Sequence, residues 1–364
     1  MKFQKPDYIL ILTTFILVIF GLIVLSSASV VISQDSFGEN YHFLKHQIFY
    51  GLTIGLLGFF ICQRIDYKIW KKFSLFLLVF SIILLSLVFI PQLGYSHGGA
   101  RRWVHLGLIS FQPFEFIKLT FIIYLSSLLS RKGETNKIIK QSIIPALSFF
   151  VIIIAILLLQ PNISALTIIF LIIILIYFLA GLNIFYISSA IGFFLVALTI
   201  IIKTTSYRIG RLTVFLHPET DPQGIGYQIN QALLAIGSGG LFGLGLGHSI
   251  QKWKYLPEVI GDSIFAIVAE ELGLFGAGIL IILFMILAWR GFVIAKNSSD
   301  KFGYLLAGGI TGWIFFQAFI NIAAISRLLP LTGVTLPFIS YGGSSLIICL
   351  TAIGILVNIS KQTK

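Results

Sequence analysis

Between Tyr255 and Ala277 the chain reads YLPEVIGDSIFAIVAEELGLFGA, placing Glu258, Asp262, Glu270 and Glu271 at and within an apolar run. A charged residue inside a membrane helix costs roughly 2.5–3.5 kcal/mol on insertion scales, so its presence marks a functional site by default. Asp262 sits where the apolar run meets water, just after the Pro257-Glu258 turn. A carboxylate there suits a base acting on a substrate with a lipid tail and a polar head. Capping of the helix N-terminus is the plain alternative for the same residue. Glu270 lies roughly 12 Å further along a helix axis, too far to share a proton with Asp262. Glu270 and Glu271 therefore read as structural or modulatory, because buried carboxylates need partners or a proton.

A second cluster is GARRWVHLGLISFQPFEFIKL, Gly99 to Leu119. Arg101 and Arg102 bring two guanidinium groups beside Trp103, and guanidinium forks suit phosphate oxygens. Interfacial anchoring is the competing reading. Glu115 and Lys118 are three apart, which places them on one helical face. They form either a mutually neutralising pair that lets the span insert or a pair that orients a second acid in a site; with Glu258 they join the candidate substrate-binding residues.

Other polar segments say less. His217, Glu219 and Asp221 share a proline-containing turn, for which a solvated loop is the ordinary reading and a metal site the alternative. The glycine-rich stretch Gly237–Gly247 lacks the G-K-[ST] of a phosphate loop and follows no strand, so it reads as a closely packed or re-entrant segment. In LTGVTLPFISYGGSS, Leu331 to Ser345, Pro337 and the pair Gly342-Gly343 interrupt an apolar span. Broken helices at membrane depth are tolerated where protein packs them or where they line a cavity.

The elements that must hold these groups are membrane helices. The chain has 364 residues, is 57% hydrophobic and 10% charged, and its mean hydropathy is +1.01. A soluble domain is about 25% charged. About ten apolar runs of spanning length are expected, near 8–28, 46–63, 70–91, 113–130, 142–160, 162–182, 184–203, 262–290, 303–325 and 335–358. The first is read as an uncleaved span, being longer than a signal-peptide core. The expected architecture is an all-α polytopic membrane protein, one integral domain over 1–364, with a long extracytoplasmic loop at about 204–261 between spans seven and eight.

Basic residues fall in the connections after spans two, four and eight: Arg64, Lys68, Lys71 and Lys72; Arg131, Lys132, Lys137 and Lys140; Arg290, Lys296 and Lys301. Lys2, Lys5, Lys361 and Lys364 flank the ends. The positive-inside rule then puts both termini in the cytoplasm and the acidic and arginine clusters outside. This distribution explains the net charge of +12 and argues against nucleic-acid binding. Cys62 and Cys349 lie in apolar spans and read as small core residues. No paired histidines suggest a structural zinc site.

Taken together, GARRW with QPFEFIKL, FLHPETDPQGIGYQ, GSGGLFGLGLGHSIQKWKYLPE, DSIFAIVAEELGLFGA and LPFISYGGSS resemble, in this order, the SEDS family of shape, elongation, division and sporulation proteins. The likeness runs over nearly the whole chain and is nearest to the division branch or its sporulation relative, with the elongation branch (RodA) as a further alternative. It implies a peptidoglycan glycosyltransferase that polymerises lipid II at the outer face of the plasma (inner) membrane, at the division septum. It also implies that Asp262 is the catalytic residue, that a divalent cation (Mg or Mn) is required, and that the partners are an FtsI-like class B penicillin-binding transpeptidase and the division proteins FtsQ, FtsL and FtsB. No organic cofactor is implied. The chain departs from the family where His-Thr usually precedes the aspartate and Phe follows it: here stand Ile260, Gly261 and Ser263. Phe114 also replaces the usual serine of QPSE. A lipid II transporter is the rival function, but it needs a site near the midplane reachable from both sides. The polar motifs here gather at one face.

Overall fold

In the computed structural model, residues 5–97, 100–107, 109–131, 135–203, 206–217, 220–221 and 224–363 are described. Of the residues named above, Lys2, Gly99, Lys132, Glu219 and Lys364 lie outside them. The chain opens with α1 (Tyr8–Ala28) and α2 (Val30–Phe37). Then α3 (His42–His46), a π-helical stretch (Gln47–Leu52) and α4 (Thr53–Cys62) run on as one apolar span. Next come α5 (Lys68–Ser86) and three short strands, β1 (Gly94–His97), β2 (Ala100–Leu106) and β3 (Ile109–Phe111). The helices α6 (Pro113–Leu129), α7 (Thr135–Leu159), α8 (Ile163–Leu179) and α9 (Ile184–Lys203) follow. Two shorter helices, α10 (Ser206–Leu216) and α11 (Ile225–Ser238), precede α12 (Ile264–Lys296), α13 (Lys301–Ile325) and α14 (Gly343–Ser360).

Among the described residues, 8 helical spans are long and apolar enough to cross a membrane. The remaining two expected runs are α6 and α8, each 17 residues long and at the lower limit for a span. Helix starts follow local chemistry. Asp7, Asn162 and Asp300 each accept a backbone N–H of the first turn of α1, α8 and α13. Pro113 opens α6, where its missing N–H costs nothing.

Burial orders the bundle. In α13 and α14, 78% and 83% of the spanning window is buried, against 6% in α9. α13 and α14 are thus the core, and α9 turns nearly all of its apolar surface outward, as a lipid-facing helix does. Close contact of α4 with α14 depends on Gly354, where a Cβ would lie 2.6 Å from the Phe59 carbonyl oxygen.

Several expectations are corrected. Between the third and fourth expected spans, for which no strand was expected, β1, β2 and β3 pair as an antiparallel sheet in that order. The stretch 204–261 is the expected long connection between spans seven and eight, and within it lie α10 and α11, whose mixed polar and apolar faces make them poor spans but good surface helices. The last span begins at Gly343 and not near 335. Pro337, Phe338 at φ 66° and the glycine pair keep the preceding segment out of the helix. The eighth span begins at Ile264, so Asp262 lies outside it. Ser263 holds the cap position, and its side chain makes no capping bond.

The two ends of the bundle differ. At one end Arg290 pairs with Asp7, Tyr67 N–H donates to Asn358, and Lys71 and Lys361 donate to the carbonyls of Ser130 and Gln63. The expected basic connections therefore meet at that end. At the other end Gln47 accepts from Gly342 N–H, Ser344 Oγ accepts from Gln112 N–H, and Ser164 donates to the Thr332 carbonyl. The candidate site is built there.

Candidate active site

Asp262 belongs to a tight turn that leads into α12. The carbonyl of Glu258 accepts the N–H groups of Gly261 at 3.0 Å and Ser263 at 3.2 Å. Glu258 holds a positive φ of 52°, a conformation that side-chain-bearing residues adopt at a cost of roughly 1 kcal/mol or more. Such strain persists only where the surroundings impose it, and here they do. Ser340 Oγ donates to the Gly261 carbonyl at 2.7 Å, and Tyr341 N–H donates to the Ile260 carbonyl at 2.8 Å. Asn321 Nδ2 donates to the Asp262 carbonyl at 2.8 Å, and Gln228 Nε2 to Ser263 Oγ at 3.1 Å. Elements far apart in the chain, from α11, α13 and the segment before α14, thus grip four consecutive residues.

The carboxyl of Asp262 is treated differently from its backbone. The side chain is partly buried, and Oδ1 is enclosed with no hydrogen-bond partner. Gly333 stands across from Oδ2, at 3.8 Å from where its Cβ would be. Burial lifts the carboxyl pKa to about 7, and the negative charge of Glu258 adds to the lift. Opposing them are backbone N–H groups and the positive charge of Arg211. A carboxylate held near neutrality at a bundle end, with an oxygen in reserve, is equipped to take a proton.

Arg211 was not singled out from sequence as a site residue. It lies on α10, and Nη1 donates to the Leu331 carbonyl at 3.3 Å, two residues before Gly333. Its sequence signal was weak: an arginine on an amphipathic helix in a region read as loop.

The arginines of β2 do not act as a matched fork. Successive strand residues point to opposite faces. Arg101 is exposed, whereas Arg102 is partly buried and donates to the Pro161 carbonyl at 2.6 Å. Pro161 opens the turn before α8, where Ser164 binds the Thr332 carbonyl, so Arg102 sits on the rim of the loop that faces Asp262. Glu115 and Lys118 lie inside the protein, 4% and 1% exposed, paired at 2.8 Å. Lys118 also donates to Gln317 at 2.8 Å and lies over the Trp313 ring. Both side chains are thus engaged by protein groups inside the bundle.

Glu270 and Glu271 serve the glycine-rich loop. Glu270 accepts from Ser249 Oγ and from the N–H groups of Ile250 and Gln251. Glu271 accepts from Ser27 Oγ, Ser249 N–H and the buried ammonium of Lys252. Gly243, at φ 81°, packs its backbone on the Glu271 carbonyl, where any side chain would collide. The close-packing reading of this stretch therefore holds.

Among the described residues no group of three or more His, Cys, Asp or Glu gathers to form a metal cage; Glu219, which with His217 and Asp221 made up the alternative site in the proline-containing turn, lies outside those residues. Asp262 Oδ1 and the neighbouring carboxylate of Glu258 nonetheless fit a hard divalent cation, which commonly takes one or two carboxylates and fills its shell with water and substrate phosphate.

The comparisons with known proteins agree with one another. The FtsW/RodA/SpoVE family, described as "Cell cycle protein", matches residues 7–364. Stage V sporulation protein E of Bacillus subtilis is 40% identical, covering 100% of this chain and 99% of the relative. The probable peptidoglycan glycosyltransferase FtsW of Coxiella burnetii is 40% identical, over 98% of this chain and 97% of its own. Among solved structures, one of a peptidoglycan synthase complex that coordinates polymerization and crosslinking aligns with a TM-score of 0.79 at 27% identity, covering 98% of this chain and 97% of that one. The rod shape determining protein RodA of Thermus thermophilus aligns with a TM-score of 0.71 at 27% identity, covering 98% and 97%. With a full-length match in sequence and in fold, this multi-span membrane protein belongs to the FtsW/RodA/SpoVE family.

Proposed function

We propose that the chain is a peptidoglycan glycosyltransferase that polymerises lipid II into glycan strands during septal wall synthesis. The observation that carries the reading is the Asp262 carboxyl, raised to about 7 and fixed at one end of the bundle with an oxygen unengaged. Relatives named as glycosyltransferases of this kind support the activity.

Asp262 acts as general base. In its ionised form it takes the proton of the acceptor GlcNAc 4-hydroxyl as that oxygen bonds to C1 of the donor MurNAc. The C1–O bond to lipid pyrophosphate breaks, and its electron pair leaves with the phosphate. One displacement inverts C1. A base works best with a pKa near the working pH, which its burial and Glu258 provide. Arg211 and the rim residue Arg102 supply positive charge for the departing pyrophosphate. A divalent cation on Asp262 and Glu258 would add charge neutralisation at the same phosphate. Lys118 and Glu115 support the site from beneath.

The same reading places the chain in the plasma membrane with both termini cytoplasmic, in partnership with an FtsI-like class B penicillin-binding transpeptidase and with FtsQ, FtsL and FtsB. The match to a synthase complex supports the first of these partners. The test is glycan-strand formation from labelled lipid II with Mn²⁺, with and without the transpeptidase. Asp262→Asn should lose about 10²-fold or more, the share a general base contributes. Retained polymerisation by a folded Asp262→Asn variant refutes the role. Absence of polymer from the wild type with its partner bound shifts the reading to lipid II flipping.

A further inference from the structure

The buried amides of α13 form a ladder that ends on the Asp262 backbone. Trp313, Gln317 and Asn321 are four residues apart, so they share one face of the helix. Their exposures are 0%, 1% and 1%. A buried amide is costly unless hydrogen-bonded, so each bond here has a structural consequence. Gln317 Oε1 accepts from Lys118 Nζ and Trp313 Nε1, each at 2.8 Å, and its Nε2 donates to the Thr335 carbonyl at 3.0 Å. Asn321 Nδ2 donates to two carbonyls, Asp262 at 2.8 Å and Val334 at 2.7 Å. A flipped Asn321 amide would set its oxygen against both carbonyl oxygens, so this orientation is the one the surroundings permit.

Two adjacent carbonyls, Val334 and Thr335, are thereby stapled to α13 by consecutive amides. Gly333, next along the chain, is the wall opposite the Asp262 carboxyl. One side-chain nitrogen therefore fixes the distance between the Asp262 turn and that wall. The buried Lys118–Glu115 pair joins the ladder at Gln317. A cation on Gln317 Oε1 polarises the amide and strengthens its N–H as a donor.

We propose that Gln317 and Asn321 are positioning residues that hold the Asp262 turn against the Gly333–Thr335 segment and transmit the Lys118–Glu115 pair to it, a role that rests on the glycosyltransferase reading for its catalytic consequence. Misplacement of a reacting group by about 1 Å costs about 10²-fold in rate. Asn321→Leu should thus lower kcat per folded molecule by about that factor, while KM for lipid II changes by less than about 3-fold. Amide hydrogen exchange in 258–263 and 333–336 should accelerate, and the acid limb of the kcat/KM profile should move.

The control is Leu306→Ala, a fully buried position on the same helix that makes no bond in the ladder. It weakens the core but should leave exchange in those two segments and the acid limb where the wild type has them. If Asn321→Leu does not fold, Asn321→Ser keeps a single donor and should show a smaller change in the same directions. In lipid nanodiscs, exchange and acid limb equal to the wild type's in the folded variant would overturn the proposal. Effects of Lys118→Met and Gln317→Leu that simply multiply in the double variant would overturn the transmission from the ion pair. A wild type without polymer but with exchange that responds to Asn321→Leu would separate failure of the activity from failure of the positioning role.

Discussion

At the scale of single residues, the balance of charges around Asp262 sets its proton affinity. Burial and Glu258 raise it and Arg211 lowers it. A general base must be ionised to act, so kcat/KM should rise with pH through about 7 and level off above. Removing the neighbouring negative charge favours ionisation, so Glu258→Gln should move that limb to lower pH. Removing the positive charge does the opposite, so Arg211→Met should move it to higher pH. Opposite displacements in polymerisation profiles taken over pH 5–9 would check both signs together; equal limbs in all three proteins would remove the electrostatic account. The candidacy of Asp262 was legible in the sequence, because a carboxylate at the mouth of an apolar span is rarely incidental. Its N-capping alternative was not excluded until the helix was seen to begin at Ile264 with Ser263 at the cap. Arg211 and Asn321 escaped notice because their significance lies in contacts with residues 120 and 59 positions away in the chain. The one hint was the four-residue spacing of Trp313, Gln317 and Asn321 in an otherwise apolar span.

At the scale of elements, apolar length was a sufficient guide to the spanning helices, because in lipid a backbone must satisfy its own hydrogen bonds. It was a poor guide to what lies between them. The small sheet has strands of 4, 7 and 3 residues, too short for a periodic signal. The segment before α14 reads as part of a span in composition, yet it is non-helical and turns at Pro337–Ile339 so that Ser340 and Tyr341 can reach Gly261 and Ile260. The glycine-rich loop shows how tightly such connections are packed. Gly243 combines φ 81° with a backbone contact to Glu271, so Gly243→Ala adds both strain and a clash. It should lower the thermal midpoint of the purified protein and diminish polymerisation. Gly192, in the middle of α9 with open space around its Cβ position, is the contrast. There alanine should be neutral or stabilising by about 0.5–1 kcal/mol, the ordinary gain within a helix. Similar midpoints for the two variants would show that the loop is not packed as described.

At the scale of the whole molecule, the chain separates its chemistry from its charge. The basic connections meet at the end where Asp7 pairs with Arg290, and the Asp262 turn, the sheet and the loop before α14 meet at the other. Between them, outward-facing side chains such as Phe76, Phe193 and Leu12 are apolar and exposed, at 66%, 78% and 62%, as a lipid-facing belt requires. A site confined to one end suits a reaction on a head group whose tail stays in the bilayer, and a two-sided carrier would place it nearer the middle. Under the positive-inside rule, the orientation proposed above has the end with Asp262 facing out. Cys62 and Cys349 are buried, at 3% and 0% exposure, so the native chain offers a low background for thiol labelling. A cysteine placed at exposed Ser110, in β3 beside the site, should react with a membrane-impermeant maleimide on intact cells. One at exposed Lys296, at the end of α12, should react only after permeabilisation. The reverse pattern would put Asp262 on the cytoplasmic side, where a polymerase of exported, lipid-linked disaccharides would have no substrate.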